Sequence, residues 1–151
     1  MMTHRLEIKT AALIPEGCFS TLLWDGRPFG VSVERTFAPG EAPHGKAVVV
    51  PPGLVLCRRD RYHKGGYETF ELIVAGHTRV LFHKGNLEDQ SEACVITGES
   101  FGGYDRRARK YSAHLGPDDQ AAVLSSGVAF EELMAHAAGL QEFYALVSGR
   151  P

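Results

Sequence analysis

No apolar run in this chain approaches the roughly 18 residues a membrane-crossing helix needs, so none is expected. Cysteine is scarce and odd in number: the three thiols are Cys18, Cys57 and Cys94, which argues against a disulfide framework. At 151 residues the chain needs no such framework, because a domain of that size buries about 70% of the surface its unfolded chain exposes. Charge of one sign is also lacking. Sixteen Lys and Arg face 18 Asp and Glu, for a formal net charge of −2, so no broad footprint for nucleic acid or an anionic membrane is expected. The single basic run, "DRRARK" from Asp105 to Lys110, lies among glycines and tyrosines and reads as a solvated loop. Seven histidines are scattered, with no Cys-x-x-Cys or His-x-x-x-His spacing. A zinc set of His63, His77, His83 and Cys94 can be drawn only on paper, so no metal and no cofactor is expected. Glu88 and Asp89 are adjacent in sequence, whereas glycoside hydrolysis needs two carboxylates flanking a sugar. The start, "MMTHRLEIKT", has no apolar core of a secretory signal, which predicts synthesis in a cytoplasm. No internal repeat is present, and residues 1–151 read as a single domain.

What is there, over the first two thirds, is β-structure. "HRLEIKTAALI" alternates in part, with Leu6 and Ile8 on one face, and ends at Pro15-Glu16-Gly17. "CFSTLLW" and "PFGVSVE" flank Asp25-Gly26, a hairpin signal. "RTFAPGEAPHG" carries two prolines and two glycines and reads as a loop. "KAVVVPPGLVLCRR" offers two strands broken at Pro51-Pro52-Gly53. "YETFELIVA" and "RVLFH" are further strands, so His83 lies at a strand end. "CVIT" is a short apolar segment, and the stretch from Gly98 to Asp119 reads as irregular.

The period then changes. Phe130, Leu133, Met134, Ala137, Leu140, Phe143, Tyr144 and Val147 follow i, i+3, i+4 spacing from Val128 onward. Ser125 or Ser126 can supply the N-cap, and Gly139 either ends a first helix or weakens a longer one. The expected class is α+β: a mainly antiparallel sheet or small barrel with one C-terminal amphipathic helix.

The stretch "VLFHKGNLEDQSEACVITG" carries the chemistry. A cysteine nucleophile needs a base beside it and donors for a developing oxyanion. His83 at a strand end and Cys94 across a loop supply the first two, and Asn86 or the Gly85 backbone supply donors. The same residues admit a structural reading, in which His83 and Asn86 tie down the loop and Cys94 packs in the core. Cys18 and Cys57 sit in apolar, strand-like surroundings and read as inert buried thiols.

Ser20-Thr21-Leu22, Asp25-Gly26, Pro51-Pro52-Gly53, His83-Lys84-Gly85-Asn86, Cys94, Ser100-Phe101-Gly102-Gly103 and Ala129-Phe130-Glu131 follow one another in order. In that order the chain resembles the phage and bacterial family known as domain of unknown function 5675, over roughly residues 18 to 138. The resemblance implies a phage or prophage setting, with a bacterial cytoplasm as the place of synthesis. The His-x-Gly-Asn followed by a cysteine also resembles, in outline, the L,D-transpeptidase pattern, which implies chemistry on peptidoglycan peptides. That pattern has a Ser-His-Gly-Cys core, whereas this chain has Ser91-Glu92-Ala93-Cys94. The first family has an acid where Gln90 stands and a glycine where Ala93 stands. Glycine admits positive φ and a close backbone approach that alanine resists. A glutamate near the thiol disfavours thiolate where a histidinium favours it, so slow alkylation of Cys94 is the expectation from these departures.

Two functions follow. One is a virion-associated structural or interaction protein of a phage, capsid- or tail-associated, with the old cysteine site kept as a loop anchor. Its partners would be other virion proteins or further copies of itself, and "GGYDRRARKY" offers aromatics and charge for contacts. The other is a cysteine-dependent acyl-transfer or hydrolase domain acting on peptidoglycan peptides. There His83, Cys94 and Asn86 would be catalytic, and Gly85, Ser91 and Glu92 would bind substrate.

Overall fold

The computed structural model describes residues 5–35, 50–87 and 94–150. Eleven strands and one helix are found among them: β1 (Leu6–Ile14), β2 (Gly17–Trp24), β3 (Arg27–Glu34), β4 (Gly53–Tyr62), β5 (Tyr67–Leu72), β6 (Phe82–His83), β7 (Val95–Gly98), β8 (Ser100–Asp105), β9 (Lys110–Ser112), β10 (Gln120–Leu124), α1 (Ser126–His136) and β11 (Glu142–Ser148). Eight strands form one sheet in the order β5-β4-β11-β1-β2-β3-β7-β6. Its two edges meet, because Leu72 N–H donates to Val80 O at 2.7 Å and Thr69 Oγ1 donates to Phe82 O at 2.6 Å. The result is a nearly closed barrel. A second sheet, β10-β8-β9, lies beside it.

The expected hairpin is present. Asp25 (φ 48°) and Gly26 (φ 82°) form a two-residue turn with positive φ at both positions, the geometry whose twist suits a hairpin. Pairing is antiparallel except between β1 and β11 and between β6 and β7. Leu6, Ile8, Leu22, Trp24, Phe70, Phe82 and Val95 fill the barrel, together with Phe130 and Leu133 from the helix and Ala137 at its C-cap. Phe19, Val31, Val33 and Ile96 on the opposite face are covered by Ala121 and Val123 of the second sheet.

Three segments differ from expectation. The irregular stretch after Gly98 is strands β8 and β9 with an exposed turn between them. The tail of the helical stripe is strand β11, in which Phe143, Ala145 and Val147 are buried in alternation. Spacing of four residues is shared by a helix turn and two strand repeats, so Phe143 and Val147 satisfy both patterns. Gly139, at φ 78°, separates the helix from the strand, and the Arg59 guanidinium donates to Ala137 O and Leu140 O beyond the helix end. The third difference is in the "RVLFH" stretch, of which only Phe82 and His83 form a strand. Of the two strands expected around Pro51-Pro52-Gly53, the second is β4, while residues 46–49 of the first lie outside the described residues. No helix among the described residues is long and apolar enough to cross a membrane.

One buried charge pair went unforeseen. Arg150 and Glu34 side chains are each 1% exposed, with Nη2 2.9 Å from Oε2 and Nη1 3.0 Å from Oε1. Arg150 also donates to Thr10 Oγ1, Ser20 Oγ and Val50 O.

Candidate functional site

Strands β6 and β7 run parallel, with Phe82 opposite Val95 and His83 opposite Ile96. Side chains alternate along a strand, so Phe82 and Val95 share the barrel face. Cys94, two residues before Ile96, therefore falls on the His83 face. The two side chains face each other closely enough that the thiol raises the titration of the ring. The expected juxtaposition across the loop is thus a consequence of register.

His83 is 4% exposed and lies flat against Tyr62, with ring centroids 5.4 Å apart and planes 8° from parallel. Its Nδ1 is 2.7 Å from Lys84 O. A carbonyl only accepts, so Nδ1 carries the proton and the neutral ring keeps its lone pair at Nε2. Burial is the strongest influence on this ring and pulls its titration down. Hydrogen bonds to Cys94 and to the Lys84 carbonyl, with the charge of Cys94, outweigh burial and leave His83 titrating above its ordinary 6.5.

Of the three thiols, only Cys94 is partly exposed. Burial first, and the Glu34 carboxylate second, push the Cys18 thiol up to about 11, and burial alone raises Cys57. Cys94 Sγ lies 3.7 Å from Arg79 O, which competes with the His83 ring for the single thiol proton. Arg79 has φ 61°, a conformation that non-glycine residues hold only under constraint. The constraint is visible: its guanidinium donates to Asp60 Oδ2 and Arg61 O, both at 2.7 Å, and its N–H to Glu71 Oε2 at 2.9 Å. The Asp60 carboxyl sits below its usual range, mainly through the Arg61 N–H and with help from Arg79.

The expected oxyanion donors have other partners. Gly85 N–H donates to Ser126 Oγ at 2.9 Å, and Asn86 Nδ2 donates to Val123 O at 2.9 Å. Val123 N–H in turn donates to Asn86 O at 2.9 Å, so Asn86 pairs with β10 as a strand residue would. Ser126 is engaged with Gly85, and the N-cap position is Ser125, at φ 54°, without a side-chain cap. Ser91 and Glu92, with Glu88 and Asp89, lie outside the described residues. His63 is exposed in the β4–β5 turn and His77 lies in the turn after β5. Among the described residues no three His, Cys, Asp or Glu side chains stand close enough to hold a metal ion.

No family model, curated protein or solved structure matches this chain.

Residue-level reading of the sequence missed Tyr62 and Tyr67. Tyr67 Oη accepts the Lys84 N–H at 3.1 Å, and Lys84 Nζ lies 4.9 Å from the Tyr67 ring centre. The signal was available in "YHKGGY", two aromatics flanking a glycine turn beside the strand that carries His83.

Proposed function

We propose that the chain is a cysteine-dependent acyl-transfer or hydrolase domain, with Cys94 as nucleophile and His83 as base. The observation that carries this reading is the His83–Cys94 pair, set on one face by the β6–β7 register, with the ring's tautomer set by the Lys84 carbonyl. Cys, His and a backbone acceptor make the nucleophile–base–orienter arrangement that such catalysis requires. Attraction between an imidazolium and a thiolate is mutual, so His83 takes the place of the histidine missing beside Cys94 in the sequence motif. In the reaction the thiol proton passes to His83 Nε2, and sulfur attacks a carbonyl carbon. The C=O electrons move to oxygen. On collapse the C–N bond breaks, the leaving amine takes the proton from His83, and a thioester remains for a second amine or water. Resemblance to the domain of unknown function 5675 family and to the L,D-transpeptidase pattern supplies the substrate class, a peptidoglycan peptide in a phage or bacterial setting.

A second reading has its own observation. Gly85 and Asn86 spend their N–H groups joining the loop to α1 and β10, as a structural anchor does. The exposed β8–β9 hairpin, with Tyr104 and Tyr111 rings 4.6 Å apart, suits contacts in a virion or with further copies. Iodoacetamide at pH 7, followed by incubation with peptidoglycan stem peptides, separates the two. The enzyme reading expects Cys94 to alkylate about tenfold faster than in His83→Ala, and cleavage or exchange of peptide that is lost in Cys94→Ser. Slow alkylation without peptide turnover overturns it in favour of the virion module.

A further inference from the structure

With Gly85 and Asn86 committed elsewhere, the proposed site needs another donor for a developing oxyanion, and the described residues contain one. Tyr67 Oη lies 3.1 Å from Lys84 N and accepts that N–H. The hydroxyl therefore uses an oxygen lone pair in this bond and keeps its own proton. No acceptor for that proton is found among the described residues. The position of the group is fixed by the same residue that fixes the base. Lys84 N–H holds the phenol, and Lys84 O, across the same residue, holds His83 Nδ1 at 2.7 Å. The ring is held from two sides, by Tyr62 with centroids 5.2 Å apart and by Phe130 at 4.9 Å.

We propose that Tyr67 is a further catalytic residue of the acyl-transfer site, its phenol O–H donating a hydrogen bond to the carbonyl oxygen that Cys94 attacks. This rests on the cysteine-enzyme reading given above. Burial, the largest influence, raises the phenol's titration above its ordinary 10, and the neighbouring charges of Tyr62 and Cys94 act in the same direction against the Lys84 N–H. The phenol thus remains a donor throughout the neutral range. No proton changes hands at this group. As sulfur bonds to the carbonyl carbon, the oxygen gains negative charge and the existing hydrogen bond shortens; when the leaving amine departs with the proton from His83, the carbonyl re-forms and the bond relaxes. A preorganised donor in that position contributes because it is stronger in the transition state than in the ground state.

The test compares two reagents on the full chain and on Tyr67→Phe, which keeps the ring between Tyr62 and Phe130. Iodoacetamide alkylates sulfur by displacement at a saturated carbon and builds no oxyanion, whereas p-nitrophenyl acetate acylates sulfur through one. The expected result is an unchanged alkylation rate and an acylation rate lower by about a hundredfold. Equal loss of both rates would show that Tyr67 only positions the His83–Cys94 pair, and loss of neither would show that it does nothing to the reaction; either overturns the proposal. Failure of the parent protein to form an acyl-Cys94 at all, checked against Cys94→Ser, would instead bring down the enzyme reading itself and this proposal with it. Matching thermal midpoints for the two proteins exclude misfolding as the cause of a loss.

Discussion

Replacing Arg150 with methionine removes the guanidinium while leaving an unbranched stem of similar reach. Five donor contacts disappear: two to the Glu34 carboxylate and one each to Thr10, Ser20 and Val50. Among the described residues Glu34 then keeps only the Val50 N–H, at 3.1 Å, and its side chain is 1% exposed, so the carboxylate is left in the interior without the guanidinium that neutralised it. Breaking a buried pair from one side costs roughly 3–5 kcal/mol, mostly the penalty of the orphaned charge. Domains have about 5–15 kcal/mol in all, so the variant should be close to marginal. For a chain of this length that corresponds to a fall in Tm of about 10 °C. Urea unfolding followed by far-UV circular dichroism would read it as a lower midpoint at unchanged slope. The decisive comparison is Glu34→Leu with Arg150→Met. That double variant removes the orphan and should recover most of the loss, as replacement of a whole buried pair by apolar groups commonly does. A single variant within about 1 kcal/mol of the parent would refute this account, and so would a double variant no better than the single.

The His83–Cys94 pair and the joint between the sheets give two further tests. In Cys94→Ala both influences of the thiol on His83 vanish while burial remains, so the ring should titrate lower than in the parent by NMR of its carbon-bound protons; Tyr62, Tyr67 and Lys84 still surround it, and an unchanged midpoint would refute the coupling. Since the folded value is raised, the stability linked to this ring is complete below the unfolded value near 6.5 and fades as pH climbs through the folded one; Cys94→Ala should flatten that part of the stability profile. Gly98→Ala places a Cβ 2.6 Å from Val123 Cβ and 3.0 Å from Leu124 O, where β7 passes under β10, and should cost about 1–3 kcal/mol in urea unfolding; a neutral effect would mean the sheets part easily.

Local patterns were legible in the sequence wherever one chain segment decides the structure. Asp25-Gly26 is such a case, since the turn's φ angles come from those two residues alone. The helix start at Ser126 is another, because the apolar period changes there. The pattern misled where two periods coincide, at Phe143 and Val147, and where strands carry little apolar signal. β9 is wholly exposed and β8 is half glycine and polar, so neither shows the alternation that marks a strand. The Arg150–Glu34 pair spans 116 positions, and nothing local to either residue foretells it.

The site divides along the same line. His83 and Cys94 were placed together on a local ground, a strand end followed by a short loop and a second strand, and parallel pairing at His83–Ile96 makes that ground sound. The donors were assigned on an equally local ground, nearness in sequence to the histidine, and here remote chain intervenes. Ser126 and Val123 lie 41 and 37 positions from Gly85 and Asn86, yet they satisfy both groups. A buried or half-buried N–H takes whatever acceptor the fold brings to it, so donor roles are set by tertiary structure more than base and nucleophile roles are. Tyr67, whose hydroxyl accepts the N–H of the residue after the base, belongs to a hairpin that precedes the whole motif. Its relation to His83 exists only because the barrel closes, bringing the β5 edge against β6 through Thr69, Phe82, Leu72 and Val80. Barrel closure is therefore part of the chemistry of the proposed site: whatever opens the β5–β6 seam should separate Tyr67 from the Lys84 peptide and leave the cysteine with a base but without its donor.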